Sequence, residues 1–172
     1  MRVRLVLALA IAALLSASAA SAGDDPAPAP KPTRLDALKK LAGTWTLPAD
    51  SPMAGATVTY RVTSAGSAVM ETLFVGTEKE MITMYTMDGT DLVLTHYCAM
   101  QNQPHMKAEP AKDDKTIVFS YVSGGNMKSR DVAHMDSLTM TLTDDTHIRH
   151  DWTMWANGKA TGKVVLDLTK QP

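Results

Sequence analysis

Little in this chain of 172 residues advertises chemistry. It has one cysteine, Cys98, so no internal disulfide forms, and that residue is either a small buried hydrophobe or a thiol with a purpose. The formal net charge is −1 and no block of like charges occurs, which argues against nucleic acid or a polybasic membrane surface as partner. The longest apolar run, Leu5 to Leu15, is shorter than the roughly 20 residues a membrane-spanning helix needs. G-x-S-x-G, H-E-x-x-H, a glycine-rich phosphate loop and C-x-x-C are all absent, so no familiar hydrolase, zinc-protease, nucleotide or dithiol chemistry is legible.

What is present starts with an address. Met1-Arg2-Val3-Arg4 is a short basic start, the apolar run follows, and Ala20-Ser21-Ala22 precedes Gly23. This layout predicts a secretory signal peptide over residues 1–22, hence a secreted or periplasmic protein. No cysteine lies near the cleavage site, so no lipid or membrane anchor is expected after cleavage. Residues 23–33 alternate Pro and Ala and read as an extended linker. Residues 34–172 then form one domain of roughly 140 residues, enough for a single core.

That domain opens on a short helix over 33–41. Thr33 and Asp36 form a capping pair, Leu35, Leu38 and Leu41 recur at helical spacing, and Gly43 is expected to stop it. From there the periodicity is alternating. Strands are predicted at 44–47, 56–63, 68–75, 80–87, 92–100, 105–109, 116–122, 137–143, 147–155 and 162–169. Turn residues separate them, among them Ala65-Gly66-Ser67, Asp88-Gly89, Asp113-Asp114, Asp144-Asp145 and Asn157-Gly158. The fold class is therefore all-β: an antiparallel up-and-down barrel of about ten strands with a short N-terminal helix.

Side chains two apart share a face, which assigns an interior. The inward sets are Val58, Tyr60 and Val62; Leu92, Leu94, His96, Cys98 and Met100; Ile117, Phe119 and Tyr121; and Leu138, Met140 and Leu142. They continue with Ile148, His150, Trp152 and Met154, then Val164, Leu166 and Leu168. Glu71 shares a face with Val69 and Leu73 and could be an inward carboxylate; the register of 68–75 is open, and the expectation is a strand facing the other way that leaves Glu71 in water.

Gly43-Thr44-Trp45, a G-x-W at the first strand after a short helix, resembles the calycin superfamily, which includes the lipocalins and fatty-acid-binding proteins. The resemblance implies a tryptophan across one barrel end, covered by a basic side chain; Arg149, Lys163 and Lys170 are the candidates. A closer resemblance covers most of the mature chain. Glu71-Thr72-Leu73-Phe74, Met81-Ile82-Thr83-Met84-Tyr85, Asp91 to Cys98 with its Thr95-His96-Tyr97-Cys98 tetrad, Asn102-Gln103-Pro104, His134-Met135 and His147 through Trp152 to Gly158-Lys159 are similar to an uncharacterised group of bacterial secreted proteins with lipocalin-like barrels. It implies a fold and a compartment, not a reaction.

A barrel of this size either packs solid or encloses a small-ligand cavity; the expectation is a cavity for a small, largely apolar molecule, walled by adaptable methionines (12 in the chain). The candidate ligand-binding residues are Tyr60, His96, Cys98, Met100, Tyr121, Met140, His150 and Trp152. His96, Cys98 and Met100 are also a soft set of copper-ligand types that His150 could approach from another strand, but the spacing is not that of the blue-copper loop and nothing fixes a fourth ligand. Met81, Met84 and Met87 look like a methionine metal run, but in a strand Met84 faces opposite to the other two. Haem is the related alternative, with His96 or His150 as axial ligand. Against both, His96 could pair with Tyr97, and His150 with Tyr60 or Tyr121, as satisfied interior polar groups. An enzyme using His96 and Cys98 is a third reading. Side chains two apart on one strand face run roughly 6–7 Å apart, too far for direct proton transfer. His105 and His134 are placed near a barrel mouth, the latter in a glycine-containing loop over 123–135. Ligand identity and oligomeric state are not legible.

Overall fold

In a computed structural model of the chain the described residues are 33–172, so the segments expected to be a signal peptide and, but for Thr33, a linker lie outside them. Thr33 caps helix α1 (Arg34–Lys39): the Asp36 carboxylate accepts its backbone N–H at 2.6 Å and its hydroxyl at 3.0 Å. Leu35 and Leu38 face inward and are buried. The helix ends earlier than Gly43, with Lys40 as its C-cap. Gly43 instead opens the first strand at φ +132°, where an added Cβ would lie 3.2 Å from the Lys170 Cε. Glycine is needed there because a late side chain crosses over it.

Ten strands follow: β1 (Gly43–Thr46), β2 (Thr57–Thr63), β3 (Ala68–Leu73), β4 (Met81–Asp88), β5 (Asp91–Tyr97), β6 (Gln103–Ala108), β7 (Thr116–Gly125), β8 (His134–Asp144), β9 (His147–Ala156) and β10 (Lys159–Lys170). Each pairs antiparallel with the next, and β1 pairs with β10 to close the barrel. The all-β, up-and-down expectation holds, in a calycin-like arrangement. Asn157 and Gly158, both at positive φ, form the two-residue turn between β9 and β10 that right-handed strand twist favours. The largest departure is between β7 and β8. Both strands run further than their alternation suggested, so Gly124 and Gly125 are strand residues and the loop shrinks to 126–133. His134 is consequently a buried strand residue, not a loop histidine.

The inward assignments agree with burial along β5, β7, β8, β9 and β10. Val62 is the exception at 37% exposure; it stands next to the 64–66 turn at the end of β2. Cys98 and Met100 lie past the end of β5, in the turn that returns as β6.

One end of the barrel is plugged by α1 and Trp45. The Trp45 indole N–H donates to the Leu41 carbonyl at 2.8 Å. Lys170, rather than Arg149 or Lys163, covers the ring: its Nζ lies 5.4 Å from the ring centroid and donates to the Lys40 carbonyl at 3.2 Å. Arg149 is engaged by Asp151 and Asp167 instead. Halfway along, Tyr85, Leu94, Met106, Phe119, Leu138 and Met140 are completely buried and fill the cross-section. An open cavity down the middle of the barrel is therefore not what these side chains make; they pack against one another.

Candidate functional site

Polar side chains enter this apolar interior in a row. Cross-strand pairing sets Tyr60 opposite Glu71, Glu71 opposite Thr83, and Thr83 opposite His96, one residue from each of β2, β3, β4 and β5. Directly opposed residues share a face, so once one is inside all four are. All four are buried, and Glu71 is wholly so. The expectation of a solvated Glu71 is thus corrected: β3 turns Val69, Glu71 and Leu73 inward because tertiary donors await the carboxylate.

Those donors are two phenols. Tyr60 donates to Glu71 Oε1 at 2.8 Å, and Tyr85 to Oε2 at 2.8 Å. His150, from β9 across the barrel, places Nε2 2.9 Å from the Tyr60 hydroxyl oxygen and Nδ1 3.5 Å from Glu71 Oε1. Tyr60 has one hydrogen and gives it to Glu71, so the His150 Nε2–H donates to Tyr60. Burial, then the Glu71 charge, drives both phenol pKa values well above the ordinary range. Burial also pushes the His150 pKa down, against the pull of Glu71. The cluster is closed to solvent, and within it His150 Nδ1 is buried without a hydrogen-bond partner.

The fourth residue of the row differs. His96 Nδ1 meets the Thr83 hydroxyl at 2.9 Å, but Nε2 is buried without a hydrogen-bond partner. The expected partner, Tyr97, is the next residue in the strand and so points to the other face, where it is 49% exposed. His96 lies against the Trp152 ring at 4.8 Å between centroids. Both border a small cavity of about 20 Å³ at the end away from α1, otherwise walled by Leu73, Phe74, Met81 and Met135. Val164 and Leu166 of β10 complete the wall. Burial depresses the His96 pKa to about 4, so its ring is neutral at neutral pH.

The loops at this end are tied together. The Arg130 guanidinium lies between the Tyr121 ring (4.9 Å) and the Trp155 ring (4.8 Å) and pairs with Asp136 at 2.8 Å. Asn102 Nδ2 donates to the Ala133 carbonyl at 2.8 Å, Asn126 Nδ2 to the Gln101 carbonyl at 2.5 Å, and the Asn157 N–H to the Asp131 carbonyl at 3.0 Å.

The eight candidate residues therefore fall in different places. His96 and Trp152 border the mouth cavity. Tyr60 and His150 belong to the Glu71 cluster, and Met140 is in the packed middle. Tyr121 stacks on His134 and Arg130 rather than meeting His150. Met100 is a partly buried turn residue, and Cys98 beside it is buried, its N–H donating to the Asn102 carbonyl at 3.0 Å. Desolvation raises the Cys98 thiol pKa, the environment of an inert thiol. Among the described residues no group of three or more His, Cys, Asp or Glu side chains is arranged to hold a metal ion. Residues absent from the sequence reading of the site, Glu71, Thr83 and Tyr85, sit in strands whose alternation signals them only if the register is known. No protein-family model matches the chain, and no curated protein matches it either.

Proposed function

We propose that this is an exported lipocalin-like barrel that binds a small, largely apolar molecule at the mouth cavity beside His96. The observation that carries this reading is the buried, unpartnered His96 Nε2 bordering an otherwise apolar cavity. Buried polar groups are nearly always paired, and one left open on a cavity wall is a place for a ligand atom. Water is a poor occupant. A buried water makes two to four hydrogen bonds, and the walls around His96 are aliphatic, thioether and aromatic.

The cavity of about 20 Å³ has room for about one water-sized group, so the bound molecule inserts its polar end and displaces side chains with the rest. Met81 and Met135 suit that displacement, because an unbranched thioether changes rotamer at little cost. The basic-apolar-small start of the chain supports a site outside the cytoplasm.

Native mass spectrometry with an absorption scan, on mature protein purified gently from periplasm or medium, tests the reading. The expected result is a colourless added mass that is lost on denaturation. A visible band would replace the reading with a haem or copper protein using the same histidine. A bare polypeptide that takes up no apolar compound on incubation would overturn it.

A further inference from the structure

Resting on the mouth cavity as the ligand site, we infer that its ligand carries a hydrogen-bond acceptor, met by an Nε2–H donor of His96 whose tautomer is fixed by Thr83. Thr83 and His96 are directly opposed on β4 and β5, and the Thr83 hydroxyl is 2.9 Å from Nδ1. Thr83 is fully buried, and its hydroxyl makes no other hydrogen bond among the described residues.

Two proton arrangements fit that distance. In the first, the threonine donates to a bare Nδ1, and the ring hydrogen sits on Nε2. One group is then unpaired: the Nε2–H of a residue that lines the cavity. In the second, Nδ1–H donates to the threonine oxygen. The threonine hydrogen is then stranded in the apolar wall, and the Nε2 lone pair is unpaired as well. The first arrangement leaves one buried group unpaired and the second leaves two, so the first holds. Trp152 packs against the same ring, 4.8 Å between centroids, and lines the cavity with it.

A lone donor in an apolar cavity selects a carbonyl, ester or ether oxygen. The rest of the molecule is hydrocarbon, running outward past Phe74 and Met81.

The tautomer can be read without a ligand, from the ¹⁵N shifts of the His96 ring assigned by His96→Gln. A protonated Nε2 and a bare Nδ1 are expected; the reverse overturns the inference whatever binds. Two probes of the same shape then test the ligand class: 2-octanone, and 2-methyl-1-octene, in which =CH2 replaces the carbonyl oxygen. The ketone is expected to bind about tenfold more tightly. Equal binding would leave the mouth cavity standing and overturn the acceptor requirement. Binding of neither would overturn the cavity reading and this inference with it. Thr83→Val keeps the shape and removes the hydroxyl. Thr83 is a positioning residue, so the variant should mix the two tautomers and lower ketone affinity severalfold while the alkene binds as before. Equal loss for both probes would reduce Thr83 to packing.

Discussion

The Tyr60 hydroxyl stands between Glu71 and His150, 2.8 Å from Oε1 and 2.9 Å from Nε2. It is the one group that satisfies a carboxylate from β3 and an imidazole from the opposite wall at once. Tyr60→Phe therefore leaves a buried acceptor and a buried donor open together, and should destabilise the barrel by about 2–4 kcal/mol in urea unfolding. Tyr85→Phe removes one donor to Oε2 and should cost about 1–2 kcal/mol. Because both phenols serve one carboxylate, the double variant should depart from the sum of the two. Strict additivity, or a Tyr60→Phe no worse than Tyr85→Phe, would show that the cluster is not the shared network its distances describe.

Stability should fall on mild acidification. The unfolded chain protonates His96 below about pH 6.5, whereas the folded chain resists until about pH 4. In that window the unfolded state binds more protons, so stability is lost as pH drops through it, by about 3 kcal/mol for this group alone. His150 acts in the same direction, since its folded pKa is also lowered. Urea midpoints measured from pH 7.5 down to 4 check this, and His96→Gln should flatten the slope. A midpoint constant across the window would contradict the burial of both rings.

Cys98 should behave as core. It is 9% exposed and its thiol pKa is raised by burial, so a thiol-specific reagent should label it slowly in the native protein and at once in denaturant. Rapid native labelling would return the thiol to consideration as a nucleophile.

Arg130 should hold one loop and little else. Arg130→Ala removes a guanidinium from between two rings and its pairing with Asp136, at a cost of about 1 kcal/mol. Amide exchange should quicken in 126–133 and stay unchanged in β4 and β5. Arg130→Lys should recover only part, because an ammonium lacks the planar face that both rings contact. Exchange that quickens everywhere would mean the loop is integral to the barrel.

The strands were legible because alternation with a period of two survives any uncertainty about partners, and all ten lie where it placed them, with shifted ends. The capping pair Thr33 and Asp36 and the tryptophan at the plugged end were legible for the same local reason. The polar row was not. In β3 both faces of Ala68-Val69-Met70-Glu71-Thr72-Leu73 carry apolar residues, and the charge tips a sequence reading toward water. What turned Glu71 inward were Tyr60 and Tyr85, whose positions depend on the registers of neighbouring strands. The 126–133 loop was overestimated because glycines and a serine over 123–125 resemble a turn, while the β6–β7 ladder continues through them. The filled middle was hidden too: composition says which side chains face in, and their mutual packing decides what space is left.

The ladder from β2 to β10 is a run of hairpins between chain neighbours, but the closing seam is different in kind. β1 meets β10 through two residue pairs, Trp45 with Lys170 and Thr46 with Thr169, and the Gln171 side chain reaches a Thr46 hydroxyl 125 positions away. The hairpins can zip as fast as local contacts allow, whereas the seam waits for the two far ends of the domain to find each other. Until Lys170 docks, the molecule is a curled sheet with two bare rims, each able to recruit another chain. Losing the last few residues would leave every hairpin intact, and its first symptom would be clumping rather than unfolding.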